Sequence, residues 1–315
     1  MSNEFDIVVV GSGIAGLSAG LTAARLGRST LVLTGDTLGG QLLSIEKIDG
    51  YPGFADGAPG YDLCPIAQEQ ATAAGAEFAM ANLLRLERDG AAWRVAAAQY
   101  TYTARSVILA TGTRLRELGV PGEASLRGKG VSQCASCDAP LLRGQAVVVA
   151  GGGDSALQEA LTLAEHCSDV TIVHHGATFS AQRAYRTSVE AQLKISARPD
   201  SEVTAILGEG VVRAARIQHV VSGATQELDC AAVFVFVGLQ ANTAFIDDKA
   251  ILDDSGHIVT DAAMRTSRTG LLAAGTVRSG SVCRAAAAVG DGAAAAMAAD
   301  RFLADGQWSL ARQTH

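Results

Sequence analysis

The run that decides the fold is Phe5-Asp6-Ile7-Val8-Val9-Val10-Gly11-Ser12-Gly13-Ile14-Ala15-Gly16, followed at once by Leu17-Ser18-Ala19-Gly20-Leu21-Thr22-Ala23-Ala24-Arg25-Leu26. The first six residues read as a short buried strand, and the small apolar residues after Gly16 recur at helical spacing. Between them stands Gly-x-Gly-x-x-Gly. In a strand–turn–helix context this spacing seats a pyrophosphate on a helix N-terminus. Gly11 makes the turn, Gly13 lets the backbone approach the phosphate, and Gly16 lets helix and strand pack closely. The motif alone is weak, but the strand before it and the helix after it make it a strong sign of a dinucleotide-binding domain. The next strand, Ser29 to Leu33, ends near Asp36, close to where a ribose-binding acid belongs, roughly 20 residues past the glycines. Asp36 reads equally well as a turn residue beside Gly35.

The logic repeats in mid-chain. Ala146 to Ala150 forms a second strand, Gly151-Gly152-Gly153-Asp154-Ser155-Ala156 a second glycine turn, Asp154 to Glu165 a helix and Val170 to Val173 the following strand. Just ahead of it lies Cys134-Ala135-Ser136-Cys137-Asp138. Two thiols at this spacing can close a small disulfide ring, and the adjacent carboxylate can supply or take the proton that thiolate chemistry needs. A zinc half-site or two core cysteines are the bland alternatives. Zinc wants a second Cys or His pair, whereas Cys64, Cys167, Cys230 and Cys283 stand alone, so no metal is expected.

Composition bounds the class. The chain has 315 residues, 35 of them glycine, with 48% hydrophobic but only 5% aromatic residues, which suits tightly turned α/β nucleotide domains. Six cysteines at this length are too sparse for a secreted framework, so a reducing, cytoplasmic compartment is expected. A net charge of -7 argues against nucleic acid and against anionic membrane surfaces as partners. Met1 to Asp6 has no basic leader, and the Ala-rich run Ala285 to Ala299 is interrupted by Gly290-Asp291-Gly292 and bracketed by Arg284 and Asp300. Neither reads as a signal peptide or a membrane span, and a soluble protein is expected.

Between the two glycine turns come Gly39-Gly40-Gln41-Leu42, then Gly50-Tyr51-Pro52-Gly53-Phe54, then Ala110-Thr111-Gly112. Taken in order with Cys-x-x-Cys-Asp, the second glycine turn and the C-terminal segment Gly275-Thr276 to Arg284-Ala285, these make nearly the whole chain resemble a low-molecular-weight thioredoxin reductase. The resemblance implies two Rossmann-like three-layer α/β domains, one inserted in the other. An FAD-binding domain would span residues 1–113 and 241–315, and a nicotinamide-nucleotide-type domain carrying the cysteines would span 114–240. FAD would lie along Gly11, Gly13, Ala15 and Gly16, then Gly40 to Leu42, Ala110 to Gly112, Gly275-Thr276 and Arg284-Ala285, with Asp36 in the place of the ribose acid. Cys137 would face the flavin, Cys134 would attack the partner and Asp138 would be the acid/base. A homodimer is expected by the same resemblance.

The departures matter as much. NADPH-using members carry a basic HRRxxxR motif after the second glycine turn, whose arginines fork onto the 2′-phosphate. Here the matching residues are His174, His175, Gly176 and, four further on, Ser180. All the permanent charge is gone, and no acid replaces it to hold an NADH ribose. The glycines Gly151 and Gly153, with Asp154, Ser155 and Ala156, survive as a vestigial nucleotide turn or a purely structural one. Arg183 and Arg186, slightly later, read as helix-surface residues. Thr276 stands where the family has an Asp, and Cys283 where it has a Tyr. Cys283 reads as a small buried filler or as a third redox thiol.

The function expected is therefore a flavin-dependent thiol–disulfide oxidoreductase working on a thioredoxin-like protein or small dithiol through Cys134 and Cys137. The sequence leaves the electron source open: NADPH or NADH at an unusual site, a ferredoxin, or reverse flow as a dithiol oxidase delivering electrons to oxygen. The non-enzyme alternative is a flavin redox sensor.

Overall fold

The computed structural model describes residues 3–308; Met1, Ser2 and residues 309–315, His315 among them, lie outside the described part. Contacts divide the chain into two units, Met1–Arg114 with Gln240–His315, and Leu115–Leu239.

The first unit opens with β1 (Glu4–Val10), α1 (Ile14–Arg25) and β2 (Thr30–Leu33). Four consecutive residues at the end of β1 and all of β2 are buried, as a strand covered on both faces requires. A 3₁₀ turn, Gly40–Ser44, leads to α2 (Gly60–Ala73). The sequence pattern places the start of α2 at Cys64, which would put Pro65 in the first turn where proline sits easily. The helix instead begins at Gly60 and runs through Pro65, and its first position admits only a glycine, since a Cβ on Gly60 would lie 1.8 Å from the Leu42 carbonyl oxygen.

Next come β3 (Glu77–Ala79), β4 (Leu83–Asp89), β5 (Ala92–Ala97), β6 (Thr101–Leu109) and β7 (Thr113–Leu115). β6 changes character along its length. Residues 101–104 pair antiparallel with β5 and alternate exposed and buried, whereas residues 106–109, in the parallel part of the sheet, are all buried.

The second unit contains β8 (Val131–Ser132), the short helix α3 (Ala135–Asp138), β9 (Ala146–Ala150), α4 (Asp154–His166), β10 (Asp169–Val173), α5 (Arg183–Glu190) and β11 (Ile195–Arg198). β12 (Ser201–Leu207), β13 (Ala214–His219), β14 (Thr225–Asp229) and β15 (Ala232–Val235) complete it. Its main sheet, in the order β11-β10-β9-β15-β8, is parallel throughout, and β12, β13 and β14 form a separate antiparallel sheet. α4 lays Ala156, Leu157, Ala160, Leu163 and Ala164 on the core side.

The chain returns to the first unit through β16 (Leu239–Ala241), which pairs with β7. It ends in β17 (Leu271–Ala273) and α6 (Ala285–Asp305). β17 joins β6 in parallel, so the sheet holds β3-β2-β1-β6-β17 as its parallel part and β5-β4 as an antiparallel edge. α6 packs on α1 so closely that a Cβ on Gly292 would lie 2.1 Å from the Ala15 carbonyl oxygen. Ser18 Oγ donates to the Val289 carbonyl at 2.8 Å across the same contact.

Candidate active site

The first glycine turn separates into parts with different jobs. Gly11 holds φ +106, and a Cβ there would sit 2.4 Å from the Ala110 carbonyl oxygen. A Cβ on Gly16 would lie 1.9 Å from the Gly11 oxygen. These two glycines are fixed by the protein's own backbone. Gly13 is different: it occupies the N-cap of α1 in an extended conformation, and a Cβ there meets nothing within 4 Å. The space in front of the helix N-terminus, where orphan amides and the dipole favour an anion, is left open by the protein itself. Gly40, at φ +60, closes one side with its Cβ position 3.3 Å from Gly13 Cα. Ala15 is buried against the sheet, and Leu42 packs with Ile14, Leu17 and Cys64. That cradle fits a dinucleotide pyrophosphate.

Further along the unit, Gln41 Nε2 donates to the Thr113 carbonyl and, at 3.1 Å, to Thr113 Oγ1, which is itself 3.2 Å from Thr276 Oγ1. Gly112, at φ +64, faces Thr276, and Thr111 exchanges two hydrogen bonds with Asn242 at 2.8 and 2.9 Å. Ala110, Thr111 and Gly112 are thus brought beside Gln41 and Thr276. Sequence reading missed Asp291, which accepts from the Gly275 amide at 3.1 Å and from Arg278 Nε at 3.0 Å. A carboxylate therefore fixes the turn one residue from Thr276. Arg284 is the N-cap of α6 and Ala285 its first residue. Asp36 sits past the end of β2, exposed, accepting from Asn82 Nδ2 at 2.6 Å.

In the second unit Cys134 and Cys137 form a disulfide with Cα atoms 5.4 Å apart. Cys134 is the N-cap of α3, Asp138 its last residue, and the turn is held from within by Cys134 N–H donating to Ser132 Oγ at 3.1 Å. Cys134 and Asp138 are half-buried and Cys137 is exposed.

The second glycine turn closes on itself more than the first. Gly151, at φ +131, lies under the Phe236 carbonyl, and a Cβ on Gly152 would lie 2.9 Å from His174 Cβ and 3.2 Å from its ring. Ser180 N and Oγ both donate to the Gly152 carbonyl, at 2.9 and 3.2 Å. Asp154 accepts from Gln182 N and Nε2 at 2.7 and 2.9 Å, Ser155 is exposed and Ala156 is buried. His174 is buried with its ring 4.4 Å from that of Phe179, and burial, then the neighbouring His175, pushes its pKa down. His174 is therefore neutral at pH 7. His175 and Ser180 are exposed, Gly176 is half-buried, and Arg183 opens α5. Arg186, read as a surface residue, is half-buried with its Nε atom enclosed and without a hydrogen-bond partner.

Of the remaining cysteines, Cys64, Cys167 and Cys230 are buried thiols. Burial pushes Cys64 up to about 11 and Cys230 to about 12, so neither is a thiolate near neutrality. Cys283 is not the buried filler its sequence setting suggests. It is exposed, at φ +52, in the bend before α6. Among the described residues no cluster of His, Cys, Asp or Glu is placed to hold a metal, and no helix is long and apolar enough to cross a membrane.

Two glycine-turn nucleotide folds and one dithiol turn in a single chain define an enzyme that couples dinucleotide chemistry to a disulfide. The family model for pyridine nucleotide-disulphide oxidoreductases matches residues 5–292. The thioredoxin reductase of Treponema pallidum is 39% identical over 303 residues, covering 96% of this chain and 98% of that protein. The thioredoxin reductase of Peptoclostridium acidaminophilum is 37% identical, with 96% and 98% covered. Among solved structures, that of Lactococcus lactis thioredoxin reductase superposes with a TM-score of 0.93 at 34% identity, covering 96% of this chain and 99% of that one. The chain belongs to the pyridine nucleotide-disulphide oxidoreductase family and has the fold of its low-molecular-weight thioredoxin reductases. It is a flavin-dependent disulfide oxidoreductase.

Proposed function

We propose that this enzyme moves electrons between FAD in the first unit and a thioredoxin-like protein or small dithiol through Cys134 and Cys137, and that NADPH is a poor electron donor for it. The disulfide on α3, with Asp138 closing the same turn, carries the reading. Bound FAD would supply a two-electron carrier. Gly13, Gly40, Gln41, Thr113 and Thr276 supply the cradle for it. In the dithiol state the Cys134 thiolate attacks one sulfur of the partner disulfide and expels the other as a thiolate, leaving a mixed disulfide. Cys137 then attacks the Cys134 sulfur, releases the partner's remaining thiolate and restores the internal disulfide. Two electrons leave the pair, and the two protons that Cys134 and Cys137 give up pass to the partner's thiolates, with Asp138 as the adjacent proton carrier. The assignment of attack to Cys134 follows the motif order, although Cys137 is the more exposed of the two.

The case against NADPH rests on side chains. A 2′-phosphate needs charge-assisted donors in place of its water. Its positions are filled by exposed His175, by Gly176, and by Ser180, whose hydroxyl is already given to the Gly152 carbonyl. His174 is neutral. Each lost charged hydrogen bond is worth roughly 1.5–3 kcal/mol. A weakly held NAD(P)H, a protein donor such as a ferredoxin, or reverse flow to oxygen are the arrangements this leaves. We assign the enzyme to the cytoplasm, where its three buried free thiols stay reduced, and infer a homodimer from the family resemblance alone.

Turnover of a disulfide protein with an artificial donor under anaerobic conditions tests the pathway. Cys134→Ser and Cys137→Ser are each expected to abolish turnover while the flavin is still bound and still reduced. Wild-type turnover in either variant sinks the proposed route.

A further inference from the structure

Glu159 lies on the wrong side of its helix for a carboxylate. α4 buries Ala156, Leu157, Ala160, Leu163 and Ala164, and Glu159, half-buried, lies along the flank of that stripe, three residues after Ala156 and four before Leu163. Burying a carboxylate among apolar side chains costs free energy unless hydrogen bonds replace its water. A carboxylate here needs a reason, and its hydrogen-bond partner supplies one: Oε2 accepts from the backbone N–H of Ala135 at 2.8 Å. Ala135 is the first residue of α3 and lies between the two redox cysteines in sequence.

The amide of a first-turn residue has no acceptor within its own helix. An N-cap side chain normally provides one, but the N-cap here is Cys134, whose sulfur is committed to the disulfide and makes no cap. Glu159 provides the missing acceptor from a neighbouring helix. Burial pushes its pKa up and the Ala135 hydrogen bond holds it down.

We propose that Glu159 is a positioning residue for the redox reaction: it caps the Ala135 amide, fixes the turn that carries Cys134 and Cys137, and biases the pair towards the disulfide. Reduction of the S–S bond takes up two electrons and two protons to give the dithiol, and loss of one proton then gives the Cys134 thiolate, for which the Ala135 amide is the neighbouring backbone donor. Glu159 already occupies that amide and places a carboxylate beside the turn. Both effects disfavour the thiolate and so the reduced state. This role rests on the reading that the pair is the working disulfide.

The test is the thiol–disulfide equilibrium of the full chain against dithiothreitol and its cyclic disulfide. The pair is quantified by acid trapping, alkylation and mass analysis of the peptide holding Cys134 and Cys137. Glu159→Gln keeps an oxygen that can accept from Ala135 but removes the charge. It is expected to fold as wild type and to shift the equilibrium about tenfold towards the dithiol, about 30 mV for a two-electron couple. Glu159→Ala also frees the amide and is expected to shift at least as far, with lowered thermal stability. An unchanged equilibrium in Glu159→Gln overturns the proposal, as does a shift towards the disulfide. Loss of stability in Glu159→Ala with no shift in either variant reduces Glu159 to a structural residue and also overturns it. The measurement needs no partner protein and no flavin turnover. If Cys134→Ser retained wild-type turnover the pathway would fail, while the equilibrium would still report on Glu159.

Discussion

Gly13 and Gly16 stand three residues apart in one motif, and the structure gives them opposite expected behaviour on substitution. In Gly16→Ala the new methyl would lie 1.9 Å from the Gly11 carbonyl oxygen, a backbone atom that cannot swing aside. Overpacking of this kind costs about 1–3 kcal/mol. At roughly 2–4 °C per kcal/mol for a unit of this size, the flavin-free protein should melt several degrees lower. In Gly13→Val the side chain enters open space, and the backbone, at φ -63 and ψ 173, is one that valine adopts. The flavin-free melting point should stay close to wild type. Affinity for FAD should not. A branched Cβ fills the space in which a pyrophosphate would meet the amides at the start of α1. Losing two charge-assisted hydrogen bonds at roughly 1.5–3 kcal/mol each lowers affinity on the order of a hundred- to ten-thousand-fold. Circular-dichroism melting of the stripped proteins and fluorescence titration with FAD separate the two effects. Wild-type FAD affinity in Gly13→Val would show that the open cradle is not the flavin site. Equal melting of Gly16→Ala and wild type would refute the packing argument.

Two further outcomes are expected. The wild-type flavin should be reduced poorly by NADPH, with little preference over NADH, and Arg at positions 175, 176 and 180 together should favour NADPH only in part. A Cβ on Gly176 would be 3.1 Å from the Thr178 oxygen, and Ser180 would give up its bond to Gly152. Rapid stoichiometric reduction of the wild type by micromolar NADPH, with NADH inert, would instead point to Arg183 or Arg186 as the phosphate ligand. His174 gives a pH signature: its folded pKa is pushed below the unfolded value, so the unfolded chain binds the extra proton. Its contribution is present above about pH 6.5 and is lost as pH falls through the depressed pKa. The stability gap between wild type and His174→Gln should therefore narrow in mild acid, and a gap independent of pH would count against a buried neutral imidazole.

The parts of this molecule most legible in sequence are those where one residue type has one physical job. β1 and α1 could be read because an apolar run, a glycine turn and small helical residues each admit few alternatives. The start of α2 could not, since Gly60 is set beside the Leu42 carbonyl by the fold of a separate turn, and sequence spacing carries no sign of that approach. The antiparallel sheet of β12, β13 and β14 also went unread. Its edge strand β14 is mostly exposed, so its polar sequence gives a weak apolar alternation. Glu159 was silent because its partner is a backbone amide 24 residues away, and amides have no letter in a sequence. Cys283 misled because residue type suggested burial, whereas the chain turns through a left-handed conformation there and leaves the thiol outside.

The tight contact between α1 and α6 has a consequence for the order in which the protein can be made. Ser18 and Val289, bonded across that contact, are 271 positions apart. A ribosome delivers the first glycine turn well before the surface that covers α1 leaves the exit tunnel. The inserted unit, Leu115–Leu239, by contrast is contiguous and is entirely outside before that happens. Domains fold as units during synthesis. The inserted unit is therefore free to complete its fold first, while α1 stays uncovered until α6 has been made.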